Sequence, residues 1–241
     1  MKISVIVPAF NEEKLIAASL SGIRAAMNSF SQRGWMAEMI VCDNNSTDAT
    51  AALARAAGAQ VVFEPVNQIA RARNTGAAAA TGDWLVFVDA DSHPTPELFA
   101  EVASQIEAGR CLAGGCTVRY EKGGFIANCA TGGWNIFSRI LRWAAGSFIF
   151  CERAAFRAVG GFSQELYASE EIDLSRKLKK LAREQSREVV ILHRHPLVTS
   201  PRKLRLYSGG ELLGFLCKAA FSPRKTIASR EACSPWYDGR R

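Results

Sequence analysis

No apolar run in this chain of 241 residues approaches the roughly 20 needed to span a bilayer. Strand-like residues begin at Ile3, which leaves no room for a secretory leader. The expected location is therefore the cytoplasm, or a peripheral position on the inner face of the membrane. The seven cysteines are odd in number and contain no C-x-x-C pair, so a disulfide framework is not expected and they read as reduced packing residues. No G-x-G-x-x-G follows the first strand and no G-x-x-x-x-G-K-[ST] occurs anywhere, which argues against the common dinucleotide and P-loop sites. Aromatics are not interleaved with the basic residues as a base-stacking surface requires, so no nucleic-acid partner is expected.

What is present fits one soluble α/β domain: 48% hydrophobic and 22% charged residues, over a length that buries a sizeable core. The expected division is a single domain over 1–221, with a nucleotide-binding half over about 1–92, an acceptor half over about 93–205, and a basic tail over 222–241. The formal charge of +7 is concentrated late, in Arg176, Lys177, Lys179, Lys180 and Arg183, then Arg202, Lys203 and Arg205. A solvated basic face accounts for this, and so does an anionic partner such as a phosphorylated substrate or a membrane surface.

The first ninety residues alternate strand and helix signals. Strands are predicted at 3–7, 37–42, 60–63 and 84–88, with helices over about 12–30, 50–57 and 68–80. That order implies a mainly parallel sheet with helices on both faces. Each strand delivers polar residues to the same edge, where open α/β sheets bind ligands. Pro8 ends the first strand, and Asn11, Glu12 and Glu13 open a helix. Asp43 ends the second strand, ahead of Ser46 or Thr47 as a helix cap. Its carboxylate suits the N–H of a uracil-like base or a ribose hydroxyl. Arg71 and Arg73, two apart, cannot share a helix face, so one is expected to reach a diphosphate while the other stays in solvent. Gly76 and Ala77–Ala80 let that helix lie close to its neighbours.

The buried strand Trp84–Val88 runs into Asp89-Ala90-Asp91. If strand geometry persists through Ala90, both carboxylates project to one side. Two hard oxygen ligands there suit Mg²⁺ or Mn²⁺, while a turn or helix cap is the alternative.

Four blocks in register resemble family 2 glycosyltransferases of the GT-A fold: Val5–Glu13, Val41–Asp48, Ala70–Gly76 and Phe87–Asp91. The resemblance implies an inverting transferase that uses a nucleotide-activated sugar, commonly a UDP-sugar, with Mg²⁺ or Mn²⁺. It also implies that Pro8, Ala9, Asn11 and Glu12 line the donor nucleotide and that Asp43 binds the base. Arg71 falls on a nucleotide-contacting position, Asp89 and Ala90 beside the ribose or sugar, and Asp91 on the metal.

Beyond Asp91, Thr95-Pro96-Glu97 opens a helix, and Cys111–Tyr120 reads as a strand interrupted by Gly114-Gly115. Phe125–Trp143 is amphipathic, with Trp134, Ile136, Phe137, Ile140, Leu141 and Trp143. Core packing is the first explanation, and a membrane-facing helix near a lipid-linked acceptor is the other. Arg153–Phe162 resembles the family's Arg-x-x-Phe-x-x-x-Gly-Gly-Phe. Ser169-Glu170-Glu171-Ile172-Asp173-Leu174 departs from its Glu-Asp-x-Asp-Leu by placing Glu171 where the family has the aspartate base. The catalytic base is thus Glu171 or Glu170. A strand is predicted at 188–192. His193 and His195 read as surface residues rather than ligands, and Arg202 with Lys203 is placed to screen a diphosphate. In the tail, Trp236 and Tyr237 are the residues able to dock.

The expected partners are a nucleotide-sugar donor and a glycan or lipid-linked acceptor. A nucleotide-sugar-binding protein without transferase activity is the alternative function. A haloacid-dehalogenase-type phosphatase, suggested by the Asp-x-Asp alone, is less well matched because that family carries its motif on the first strand.

Overall fold

The computed structural model describes residues 1–121, 125–200, 228, 229, 231 and 233. The elements in order are β1 (Lys2–Ala9), α1 (Ile16–Ser31), β2 (Met36–Asp43), α2 (Thr50–Ala56), β3 (Gln60–Phe63), α3 (Ile69–Ala79), β4 (Trp84–Val88) and β5 (Ser92–His93). Then follow α4 (Pro96–Glu107), β6 (Cys111–Tyr120), α5 (Phe125–Leu141), β7 (Phe148–Glu152), α6 (Arg153–Ala158), α7 (Glu170–Glu184) and β8 (Glu188–Thr199).

One sheet runs β3-β2-β1-β4-β7-β6-β8-β5. Its first four strands are parallel. β7 is antiparallel to both β4 and β6, and β8 returns parallel to β6. Every residue of β4 is buried, as a continuous apolar run between two helical layers should be. On one face Val5, Val7, Leu20, Ile23, Phe30 and Phe99 pack beneath α1 and α4. On the other, Ile6, Ala70, Phe87, Phe162 and Leu174 pack beneath α3, α6 and α7.

The close packing expected at Gly76 is present, since a Cβ there would lie 2.5 Å from Ile6 Cγ2. Five local expectations are corrected. β1 continues through Pro8 to Ala9. Helix α1 begins at Ile16 rather than Glu12, because the Glu12 carbonyl closes a turn with the Leu15 and Ile16 amides. Neither Ser46 nor Thr47 caps α2, whose first amide is instead bonded by Asp48 Oδ1 at 2.9 Å. Gly114 and Gly115 do not interrupt β6 but pair with Phe150 and Ile149. They are needed for close approach, as a Cβ on Gly114 would sit 2.4 Å from the Phe150 ring. Finally, β8 runs on past Leu192, so His193 and His195 lie within a strand, His193 exposed and His195 partly so.

Helix α5 is the largest departure, since Ile136, Phe137 and Ile140 are exposed rather than packed in the core. No described helix is long and apolar enough to cross a membrane. The cysteines Cys42, Cys111, Cys116, Cys151 and Cys233 are buried free thiols, whereas Cys129 is exposed. Arg202, Lys203, Trp236 and Tyr237 lie outside the described residues.

Candidate active site

Three neighbouring strands, β2, β1 and β4, end together and build a cleft from their following loops. The first two loops are tied to each other. Asn44 N–H donates to the Ala9 carbonyl at 2.8 Å. Asn11 adopts φ 52°, a left-handed conformation that asparagine tolerates better than most residues. Its amide donates to Ser46 Oγ at 3.0 Å, and its Oδ1 accepts from the Thr47 amide at 2.8 Å. Glu12 N–H donates to Thr50 Oγ1 at 2.7 Å. Asp43 is 6% exposed and its Oδ1 accepts from the Ser46 amide at 3.1 Å. The polar cluster 43–48 thus braces the loop after β1 as well as opening α2.

After β4 the strand geometry stops. Ser92 N–H closes a turn onto the Asp89 carbonyl at 3.1 Å, so Asp89 and Asp91 are presented from a turn, not from one side of a strand. Asp89 Oδ1 accepts from Arg73. Asp91 is 9% exposed, and its carbonyl accepts from the Ser200 amide. Burial, then the nearby Asp91 charge, raises the Tyr120 phenol.

Arg73 organises the site. It is 1% exposed and donates to Glu170 Oε1 at 2.7 Å, to Asp89 Oδ1 at 2.9 Å and to the Gly146 carbonyl at 2.7 Å. Its guanidinium lies 5.2 Å from the Phe162 ring centre. That ring is positioned by Asn74, which exchanges two hydrogen bonds with the Phe162 backbone. The Gly160-Gly161 turn, at φ 77° and 67°, therefore serves to seat Phe162 against α3. A planar, permanently charged fork suits this buried bridging of two carboxylates and a carbonyl.

Helix α7 brings in the acids. Its first turn carries Glu170, Glu171 and Asp173, favoured there by the macrodipole. Ser169, just before them, is left-handed at φ 63°, a strained position for a non-glycine residue. Glu170 is 4% exposed and committed to Arg73. Glu171 instead lines a cavity of about 250 Å³ with Arg73, Asp89, Gly146, Tyr167 and Glu170. Burial, then the Glu170 charge, pushes the Glu171 carboxyl up to about 8, against the pull of Arg73. A carboxyl tuned toward neutrality, facing a cleft, has the properties of a general base.

Residues 4–159 match the description Glycosyl transferase family 2. The chain belongs to that family. An uncharacterized glycosyltransferase of Mycobacterium tuberculosis is 34% identical over 113 residues, 47% of this chain and 47% of that protein. A dolichol-phosphate mannosyltransferase of Pyrococcus furiosus is 30% identical over 149 residues, 58% of this chain and 38% of that protein. This chain spans about half the length, or less, of the curated relatives it matches. A mannosyltransferase of Pyrobaculum calidifontis, solved with GDP-Man and Mn²⁺, superposes with a TM-score of 0.69 at 20% identity, covering 98% of this chain and 67% of that one. The fold is accordingly GT-A.

Pro8, Ala9, Asn11, Glu12 and Asp43 lie together at the ends of β1 and β2 and in the loop after β1, and Asp89, Glu170 and Glu171 line the cavity of about 250 Å³. Arg71 is half-buried, with Nε on Gln68 Oε1 at 3.2 Å, and Arg73 is fully buried. Neither of the two arginines therefore stays in solvent. Arg202 is not among the described residues. Gly146 and Tyr167 were not singled out from sequence, and the sequence pointed to Arg73 as a diphosphate or solvent residue rather than as a buried bridge between carboxylates. Arg73 had a signal: it shares helical spacing with Ala70, Gly76 and Ala77, all on the buried face of α3, so its charge required buried partners.

No group of three or more His, Cys, Asp or Glu side chains gathers for a metal among the described residues. Asp89 is engaged by Arg73, and Asp91 stands in the adjacent turn. That set fits a Mg²⁺- or Mn²⁺-like ion, which takes one or two carboxylates and completes its shell with water and substrate phosphates.

Proposed function

We propose that the protein is an inverting glycosyltransferase. It moves a sugar from a nucleotide-diphosphate donor, a UDP-sugar by preference, to the hydroxyl of a glycan or lipid-linked acceptor. The observation that carries this reading is the division of labour between two adjacent glutamates. Both line the cavity, but Glu170 is ion-paired with Arg73 at 2.7 Å, while the Glu171 carboxyl is raised by burial and by the Glu170 charge.

In this reading the nucleoside lies over the first two loops, with Asp43 accepting from the base and Pro8, Ala9, Asn11, Glu12, Arg71 and Ala90 shaping the pocket. Asp89, held by Arg73, accepts from a ribose or sugar hydroxyl. Glu171 removes the proton from the acceptor hydroxyl as its oxygen bonds to the sugar C1 and the C1–O bond to the diphosphate breaks. General-base assistance of this kind contributes roughly 10²–10⁴-fold in rate. Attack on the face opposite the leaving group inverts C1 without a covalent enzyme intermediate. Asp91 would hold the divalent ion, whose positive charge supports the departing diphosphate. The mannosyltransferase of Pyrobaculum calidifontis, solved with GDP-Man and Mn²⁺, supports a nucleotide-sugar donor and a metal.

Glu171→Gln is expected to abolish transfer while leaving nucleotide binding intact, measured by product formation and by calorimetric titration of the donor nucleotide. Loss of transfer in Glu170→Gln with transfer retained in Glu171→Gln would move the base to Glu170.

A further inference from the structure

Helix α5 presents an apolar stripe to solvent. Two of its polar residues, Asn135 and Ser138, face inward, while Asn128 and Arg139 are exposed. Asn135 clamps the β6 backbone at Val118 through two hydrogen bonds, of 3.0 and 2.8 Å. Ser138, with no exposed surface, donates to the Trp143 carbonyl at 2.5 Å. Trp134 and Leu141 are partly buried, while three large apolar side chains, Ile136, Phe137 and Ile140, face outward at 62%, 48% and 73% exposure. Exposed Cys129 and Gly133 precede them at helical spacing, so these positions form one stripe with no charge on it. Elsewhere on the described surface the large exposed apolar side chains are Met1, Met36, Phe63 and Val66, none of them on a helix.

Positive charge gathers at the carboxyl end of this stripe. Arg139 is exposed on the flank of α5. Arg176 of α7 lies 4.7 Å from the Trp143 ring centre, and Lys179 donates to the Leu141 carbonyl at 2.7 Å. Desolvation, then Arg183 and Arg142, lowers the Lys179 ammonium, so these cations share one neighbourhood. Arg176, Lys180 and Arg183 are exposed at one-turn spacing along α7. The acid paired within this group is Glu188, at 3.1 Å from Arg142. The Phe137 ring lies between those of Trp134, tilted at 6.5 Å, and Trp143, edge-on at 5.6 Å. An apolar stripe bordered by aromatics and cations complements a lipid interface carrying negative headgroups.

We propose that the outer face of α5, with the basic edge of α7, docks the protein on an anionic lipid bilayer. Docking rests on this surface alone. Its consequence for chemistry rests on the transferase reading: α5 leads through Gly146 and Ser147 into the cavity lined by Glu171, so the acceptor side of the cleft would face the membrane and receive a lipid-linked hydroxyl.

The test is flotation of the full-length protein with vesicles of phosphatidylcholine alone or mixed with phosphatidylglycerol. The wild type is expected to float with the mixed vesicles and far less with the neutral ones, and added salt should release it. The double variant Ile136→Glu/Ile140→Glu is expected to lose binding by more than about tenfold. Lys180→Gln and Arg183→Gln should each cost about fivefold, as expected for loss of one basic residue at an anionic surface. All variants should keep the thermal shift produced by donor nucleotide, so a failure of docking is separable from a failure of the transferase reading. Absence of the wild type from the floated fraction would overturn the proposal, as would unchanged flotation of the double variant. Conversion of a wild-type dimer to monomer by the same substitutions, without vesicle binding, would assign the face to a second copy instead.

Discussion

At the residue scale, Arg73 carries the heaviest structural burden in the site. It neutralises Asp89 and Glu170 in a buried setting, where removing one partner of an ion pair is far costlier than forming the pair is favourable. Arg73→Ala is expected to destabilise the fold by about 3–5 kcal/mol, read as a lower midpoint in urea unfolding, whereas Arg71→Ala should leave the midpoint nearly unchanged. Glu171 carries a pH signature of the opposite kind. Its folded carboxyl is raised to about 8, above its unfolded value, so it favours folding while protonated and loses that contribution as pH rises from about 4.5 toward 8. Glu171→Gln should therefore flatten the decline of melting temperature over that interval. In the active protein the same carboxyl must be ionised to accept a proton, so kcat/KM should rise with pH toward a plateau above about 8. A rate independent of pH across that range would exclude Glu171 as the base. The acids of this centre were legible as residue types in a motif. Their pairing was not, because the choice of which glutamate meets Arg73 is made by α3 and α7 packing together, some 97 positions apart.

At the element scale, local sequence was a good guide where a strand or helix is determined by its own pattern. Trp84–Val88 and Gln60–Phe63 read directly as strands because apolar, β-branched and aromatic residues dominate them. Reading failed where a partner element decides. β6 passes through two glycines because Phe150 and Ala144 occupy the space where side chains would be. Gly114→Ala should cost about 1–3 kcal/mol by overpacking, measured by thermal unfolding, while Gly133→Ala on the exposed stripe should be neutral or stabilising. For α5 the apolar spacing fits core packing first and a membrane-facing helix second, because periodicity reports that a helix has an apolar face without saying what that face meets. At the opposite edge of the sheet, Glu38 joins β2 to β1 and to the turn before β4. Burial would raise its carboxyl, but hydrogen bonds from Lys2, Ser4 and Thr81 overcome this and bring it to about 2. Its contribution is present above about pH 4.5 and is lost as pH falls toward 2. Glu38→Gln should accordingly unfold at lower temperature than wild type at pH 7, with the gap closing in acid.

At the scale of the whole molecule, parallel β1, β2 and β4 place three loops at one edge, and antiparallel β7 carries the chain back so that α7 can add its acids from the other side. The order of strands and helices made the α/β class readable, since each βα unit announces itself in sequence, whereas the GT-A frame came from the resemblance of the four motif blocks. The closing half was less readable, because β6, β7 and β8 are joined by long connections whose geometry depends on the finished sheet. The proposed donor site binds a nucleotide diphosphate together with a divalent ion near Asp91. The most direct test is thermal unfolding with UDP, GDP, CDP or TDP, each with and without Mn²⁺, on wild type and Asp91→Ala. A nucleotide at a hundredfold its dissociation constant should stabilise the wild type by roughly 2.7 kcal/mol, and the Mn²⁺-dependent part should vanish in Asp91→Ala. Stabilisation by no nucleotide in the presence of Mn²⁺, or Mn²⁺ dependence that survives Asp91→Ala, would contradict it.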